Sequence, residues 1–292
     1  MEEFLQQIIN GLSLGSIYAL VALGYTMVYG IIKLINFAHG DVYMIGAYTA
    51  FIVTTYFGFN FFTALIACMV VCGILGVLIE RVAYRPLRKA PRITALITAI
   101  GVSYVIEYTT QLIMGTSVRS FPALVPTTSW QIGPVKITYL QVLIFSITIV
   151  LMLVLTFIVQ KTKIGRAMRA VSADENAARL MGISVDNTIS VTFLIGSALA
   201  GAAGLLVGVY YNSVSPLMGM VPGLKAFVAA VFGGIGSIPG AMVGGLFIGI
   251  AETMVVAYGS SLYRDAIVYG FLILVLIIKP AGLFGSTERE KV

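Results

Sequence analysis

The chain has 292 residues, 59% of them hydrophobic and only 10% charged, against about 25% charged residues in an ordinary soluble domain. Water cannot be its main solvent, which excludes a soluble catalytic or binding domain. Its net charge of +6, from 18 basic and 12 acidic side chains, sits in short segments between apolar runs, where it orients a protein in a bilayer and does not mark a nucleic-acid partner.

A hydrocarbon core of about 30 Å needs about 20 apolar residues per crossing. Such stretches occur near 8–32, 40–57, 61–80, 93–115, 139–160, 188–211, 240–258 and 262–279. They predict an all-α, polytopic integral membrane protein of about eight or nine transmembrane helices, a single transmembrane domain over residues 1–292. The first stretch follows an acidic leader, Glu2 and Glu3, and no small-residue cleavage site precedes the next, so it reads as a retained helix.

Lys33, Asn36, His39 and Asp41 then interrupt the apolar run. Left in hydrocarbon these groups would cost several kcal/mol, so they lie at an interface, face the bundle interior or line a cavity. Two readings stay open: His39 and Asp41 cap the next helix at the cytoplasmic membrane surface, or they border an inner gate. Cys68 and Cys72, four apart in one apolar stretch, read as small core residues. Segment 81–92 carries Arg81, Arg85, Arg88, Lys89 and Arg92 and reads as a cytoplasmic loop. Glu107 lies inside the following span, and an intramembrane carboxylate is either a functional group or a structural hydrogen-bonding one. Loop 116–138, poor in basic residues and holding Pro122, Pro126, Trp130, Gly133 and Pro134, reads as external.

Segment 161–187, with Lys161, Lys163, Arg166, Arg169 and Arg179, returns to the cytoplasmic side. Within it Ser172 and Glu175 have capping-box spacing, Glu175 and Arg179 form an i,i+4 pair, and Gly182 is placed to end a helix. A short helix of about 173–181 is predicted, roughly 13 Å long, with Ala173, Ala177, Leu180 and Met181 along one side. So brief a helix has little tendency to persist alone; it docks on something or packs on its own chain. Gly196, Ala200, Gly204 and Gly208, and Ala241, Gly245 and Gly249, form small-residue stripes for close helix approach.

Basic residues Lys279, Arg289 and Lys291 put the C-terminus in the cytoplasm and the chain count puts the N-terminus outside. That parity requires the short apolar piece 222–237 to cross, with a broken or re-entrant segment near 222–240 where GGIGSIPG interrupts the run. Both breaks lead into Gly-spaced helices, a pattern compatible with a weak internal repeat. GGIGSIPG lacks the last glycine and the strand context of a dinucleotide site. Glu252, in the next span, carries the same two readings as Glu107. One His and two cysteines cannot build a common metal site, and no catalytic residue is assigned.

Three segments, GRAMRAVSADENAARLMGI, LINFAHGDVYMIGAY and AAVFGGIGSIPGAMVGG, resemble, in this order, the coupling segment of ABC-importer permeases and the branched-chain amino-acid permease family of the LivH and LivM type. The resemblance, over about residues 10–284, implies a permease subunit in a bacterial plasma membrane that works by alternating access. It implies a second, homologous permease, two cytoplasmic ATP-binding subunits, an extracytoplasmic binding protein and a branched-chain amino acid as substrate, with membrane lipid around the bundle. Urea and short-amide permeases share much of the pattern, and an ion-coupled carrier or a channel are the alternatives of other classes. The chain has no GxxxxGK[ST] loop and no room for a nucleotide-binding domain, so it needs no cofactor of its own and ATP belongs to the partners. The expected ATPase contacts are Arg169, Asp174, Glu175 and Arg179 for polar pairing and Ala177, Ala178 and Met181 for the groove, ended by Gly182. Candidate pathway residues are Asn36, His39, Asp41, Tyr43 and Glu107. Tyr25, Tyr29, Tyr210 and Asn212 also lie near spans, with nothing in the sequence to select among them.

Overall fold

A computed structural model describes residues 2–88 and 90–285. Of the basic residues used for orientation, Lys89, Arg289 and Lys291 lie outside the described residues. The helices, in chain order, are α1 Glu2–Ile32, α2 His39–Phe57, α3 Phe61–Ile79, α4 Arg92–Met114, α5 Tyr139–Lys161, α6 Lys163–Ala173, α7 Glu175–Leu180, α8 Val185–Tyr211, α9 Met220–Gly233, α10 Ile238–Tyr258 and α11 Arg264–Ile278. Among the described residues, seven helices are long and apolar enough to cross a membrane: α1, α3 with its extension to Leu87, α4, α5, α8, α10 and α11 with its preceding turn. With the 19-residue α2 and the 14-residue α9 there are nine principal helices of the bundle among the described residues, consistent with the predicted eight or nine.

α1 and α8 form the centre, with nearly every residue from Gly11 to Val28 and from Ser197 to Val209 buried. The small-residue stripes meet helices of this same chain. A methyl added to Gly249 or Gly245 would lie within 2.2 Å of Gly15 or 2.5 Å of Ala19 in α1, and one on Gly204 2.2 Å from the Tyr43 carbonyl in α2. In a bilayer such backbone proximity is the main source of helix attraction, because burying apolar surface gains nothing over lipid.

Several expected loops are built differently. α3 does not end at a loop: a π turn, Glu80–Tyr84, and a 3-10 turn, Arg85–Leu87, continue it. Segment 116–138 forms a hairpin of β2 Ser129–Ile132 and β3 Val135–Thr138, while β1 Arg119–Ser120 pairs with β4 Ser213–Val214 after α8. Gln6 ties the start of α1 to this hairpin, donating to the Lys136 carbonyl at 3.0 Å and accepting from its N–H at 2.9 Å. The bundle thus has a hairpin end and an opposite end, where α6 and α7 lie.

The breaks are also relocated. α1 stops at Lys33, whose φ of +53° is left-handed, and residues 33–38 carry the chain back so that α2 starts beside Gly24 of α1, about 12 Å inside the end of that helix at 1.5 Å per residue. α9 is continuous across the segment expected to be broken, and the interruption near 222–240 narrows to 234–237, where Gly234 and Gly236 take positive φ. Pro222 is tolerated because it falls in the first turn, where no N–H partner is needed. At about 21 Å α9 is too short to cross alone; the non-helical stretch after β4 leads inward from the hairpin end to its start. At its other end the Leu283 and Phe284 N–H groups donate to the Phe232 and Gly233 carbonyls at 2.9 Å.

Candidate functional site

The two inward-lying helix starts meet. A methyl at Gly40 would lie 2.5 Å from the Gly219 carbonyl oxygen, and one at Gly223 2.9 Å from the Gly40 Cα, so only glycine permits α2 and α9 to begin side by side. Non-helical backbone at membrane depth is tolerated where it is buried in protein or lines a cavity, and here it does both. A cavity of about 150 Å³ opens at this junction, lined by Tyr25 of α1, Gly40 and Asp41 of α2, Ser103, Tyr104 and Glu107 of α4, and Gly219, Met220 and Gly223 at the head of α9.

Its electrostatics follow from the backbone. A helix start carries a partial positive charge, and two such starts lie at this cavity, with Asp41 and Glu107 as its carboxylates; their N–H groups are largely taken up within the chain, those of His39, Asp41 and Val42 by the Asn36 and Ala38 carbonyls and that of Met220 by the Leu217 carbonyl. Asp41 accepts a hydrogen bond from the Ser103 hydroxyl, which ties α2 to α4 across the cavity, and Glu107 is half-buried. Gly40→Ala is expected to cost about 1–3 kcal/mol through overpacking, seen as a lower unfolding temperature of the purified protein; unchanged stability would mean that the two helix starts are not in contact.

Of the five pathway candidates, Asp41 and Glu107 line this cavity, whereas Asn36, His39 and Tyr43 do not. The surface-cap reading of His39 and Asp41 is corrected: α2 has no side-chain cap, and both residues are buried. His39 fills the notch left by Gly24 and meets the Tyr25 ring edge-on at 4.7 Å. Tyr43 of α2 is wholly buried, its backbone carbonyl against Gly204 of α8. Asn36 accepts from the Tyr84 hydroxyl at 3.1 Å. Tyr25, Ser103 and the Gly40/Gly219/Gly223 contact were not selected from the sequence; the recurrence of glycine at both helix starts was the available signal.

Glu252 has a different role from Glu107. Its carboxylate accepts from Lys225 of α9 at 3.0 Å, from Tyr18 of α1 at 2.9 Å and from Arg264 of α11, and Lys225 also pairs with Asp265 at 2.7 Å. This is a four-charge cluster of zero net charge that holds α9 to its neighbours.

A family model for the permease component of the branched-chain amino acid transport system matches residues 7–277. The chain belongs to this permease family. It is 45% identical to the high-affinity branched-chain amino acid transport system permease protein BraD of Pseudomonas aeruginosa over 99% of this chain and 98% of the relative. It is 46% identical to LivH of Escherichia coli K12 over the same shares. LivM of Escherichia coli K12, a second permease protein of a high-affinity branched-chain amino acid transport system, is 26% identical over 95% of this chain and 70% of its own length. The protein is therefore a multi-pass membrane permease and not an enzyme.

The permease's second candidate site is the corner at the opposite end of the bundle from the hairpin. The helix predicted over 173–181 is shorter, Glu175–Leu180, and follows a separate helix, α6, within what read as a loop. The reason is Asp174, whose extended backbone (φ −157°) breaks the run and whose side chain caps α7 by accepting from the Ala177 N–H at 2.9 Å. Ser172 therefore forms no capping box; its hydroxyl donates to the Arg169 carbonyl at 2.9 Å. Glu175 and Arg179 pair at 2.7 Å, and Gly182 ends the turn at φ +80°. Two expected contacts are engaged within the chain: Ala178 is buried, and Arg169, though exposed, donates to the Val159 carbonyl. Leu180 and Met181 instead stand 89% and 82% exposed.

Proposed function

We propose that this permease is one of two homologous membrane subunits of an ABC importer for branched-chain amino acids, with the cavity at the meeting of α2, α4 and α9 as part of the translocation pathway. The observation that carries this reading is the pairing of charges around that cavity. A free amino acid presents an ammonium and a carboxylate close together; Asp41 and Glu107 suit the first, and the partial positive charge of the two helix starts suits the second. Ile100, Met220 and Leu224 supply apolar surface for the aliphatic side chain. The substrate class follows that named for BraD and LivH, and LivH and LivM, both from Escherichia coli K12, support a related but distinct permease as the second half.

The basic π-turn region and the α6–α7 corner face the cytoplasm in this reading, which puts the N-terminus outside and the C-terminus inside. There α7 with its flanking residues acts as the coupling helix: Leu180 and Met181 enter a groove on an ATP-binding subunit, with Glu175, Arg179 and Asp174 at its rim. ATP is bound and hydrolysed by two such subunits, and an extracytoplasmic binding protein delivers the amino acid at the hairpin end.

The test is uptake of labelled leucine, valine and urea by proteoliposomes holding this chain with a second, LivM-like permease, ATP-binding subunits and an extracytoplasmic binding protein. ATP-dependent uptake of leucine and valine supports the reading; urea alone, or uptake without ATPases, overturns it. Asp41→Asn, which keeps shape and loses charge, is expected to reduce leucine uptake about tenfold or more, the worth of one charged hydrogen bond, while the complex still assembles. Unaltered uptake would remove Asp41 from the pathway.

A further inference from the structure

The π turn between α3 and the 3-10 turn is held at both ends by buried polar contacts. Its defining bond runs from the Arg85 N–H to the Glu80 carbonyl, one residue longer than in an α-helix, and such turns occur frequently at functional sites. Glu80, fully buried, accepts from the Ser190 hydroxyl of α8 at 2.6 Å and from Arg88. Arg88 also donates to Asp186 at 2.6 Å, and Arg85 reaches the same carboxylate. Asp186 lies in the first turn of α8, joined to α7 by residues 181–184. A shift of the α7–α8 corner therefore acts on the first residue of the π turn.

The last residue of that turn, Tyr84, points the other way. Its ring packs on Phe193 with centroids 5.2 Å apart, and its hydroxyl donates to the Asn36 side-chain oxygen at 3.1 Å, with the Ile35 carbonyl at 3.3 Å. Asn36 is buried, and its carbonyl accepts from the His39 N–H at 3.1 Å, so it belongs to the bend that starts α2. Asp41 stands in the first turn of α2, on the cavity.

We infer that Tyr84 is a positioning residue for coupled transport, whose hydroxyl links the α7–α8 corner through the π turn to the start of α2 and so to Asp41. This rests on the ATPase-coupled reading above. Tyr84 touches no substrate in this scheme; it fixes where the cavity wall stands for a given position of the coupling corner.

The experiment compares the full reconstituted complex with its Tyr84→Phe, Asn36→Ala and doubly substituted forms, measuring leucine transported per ATP hydrolysed, maximal ATPase rate and unfolding temperature. Tyr84→Phe keeps the ring on Phe193 and is expected to leave ATPase rate and stability near those of the unmodified complex, while transport per ATP falls about fivefold or more, the lower end of typical coupling strengths. Asn36→Ala should act in the same direction, and the double variant should be no worse than the more severe single one. An unchanged ratio in Tyr84→Phe, additive losses, or a proportional fall of ATPase, transport and stability would overturn this inference alone. Uptake by the unmodified complex that needs no ATP would overturn the importer reading and this inference with it.

Discussion

Glu252→Gln should destabilise the bundle by about 3–5 kcal/mol, the usual cost of stripping one partner from a buried ion pair. Lys225 and Glu252 are each 1% exposed, and the carboxylate is shared by Lys225, Arg264 and Tyr18. Neutralising it leaves Lys225 with Asp265 alone, at the solvent-facing side of the cluster, and leaves Arg264 with the Tyr211 hydroxyl at 3.3 Å. Lys225→Met should cost less, because Glu252 keeps Arg264 and Tyr18 and the half-exposed Asp265 can hydrate. The double variant Lys225→Met/Glu252→Gln should recover part of the Glu252→Gln loss, since it no longer buries an ammonium whose one remaining charge partner is the exposed Asp265. Denaturant or thermal unfolding of the detergent-solubilised permease measures all three. A double variant less stable than the sum of the single ones would show that the cluster does not act as a charge pair.

Replacing Leu180 and Met181 together by glutamate is expected to abolish co-purification of the ATP-binding subunits while the permease keeps its unfolding temperature. The two side chains are the exposed apolar tip of a six-residue helix, so charging them removes no internal contact. If they fill a groove on the partner they belong to the central, desolvated residues of an interface, where a truncation typically costs 2 kcal/mol or more, about thirtyfold in affinity. The comparison variant is Ala178→Arg. A groove-facing Ala178 would block docking alone, but this methyl is buried within its own chain, so arginine there should also loosen α7 and lower stability. Intact ATPase binding in the glutamate variant would exclude this face of α7 as the contact.

Much of the architecture was legible in linear order. Segment lengths of about 20 apolar residues and the stripes through Gly196 and Gly245 are properties of neighbouring residues, and each survives in the folded chain because membrane helices of this length pack through small residues. Glu175–Arg179 and Gly182 were legible for the same reason: an i,i+4 pair and a left-handed terminator act within one turn. Even there competition between neighbours mattered, since Ser172 and Asp174 were both able to cap and the extended backbone at Asp174 selected the latter.

The rest depended on residues far apart in the chain arriving at one place. Glu107 and Glu252 are alike in sequence, each a carboxylate in an apolar run, yet one lines a cavity and the other is neutralised by residues from α9 and α11. Asp41 and His39 lie two positions apart, but the α2 turn directs one to the cavity and the other to the notch at Gly24. Gly40 and Gly219 are separated by most of the bundle and matter because their backbones touch. Burial, charge pairing and backbone contact are set by the neighbours that packing supplies, and a local pattern does not encode which neighbours those will be.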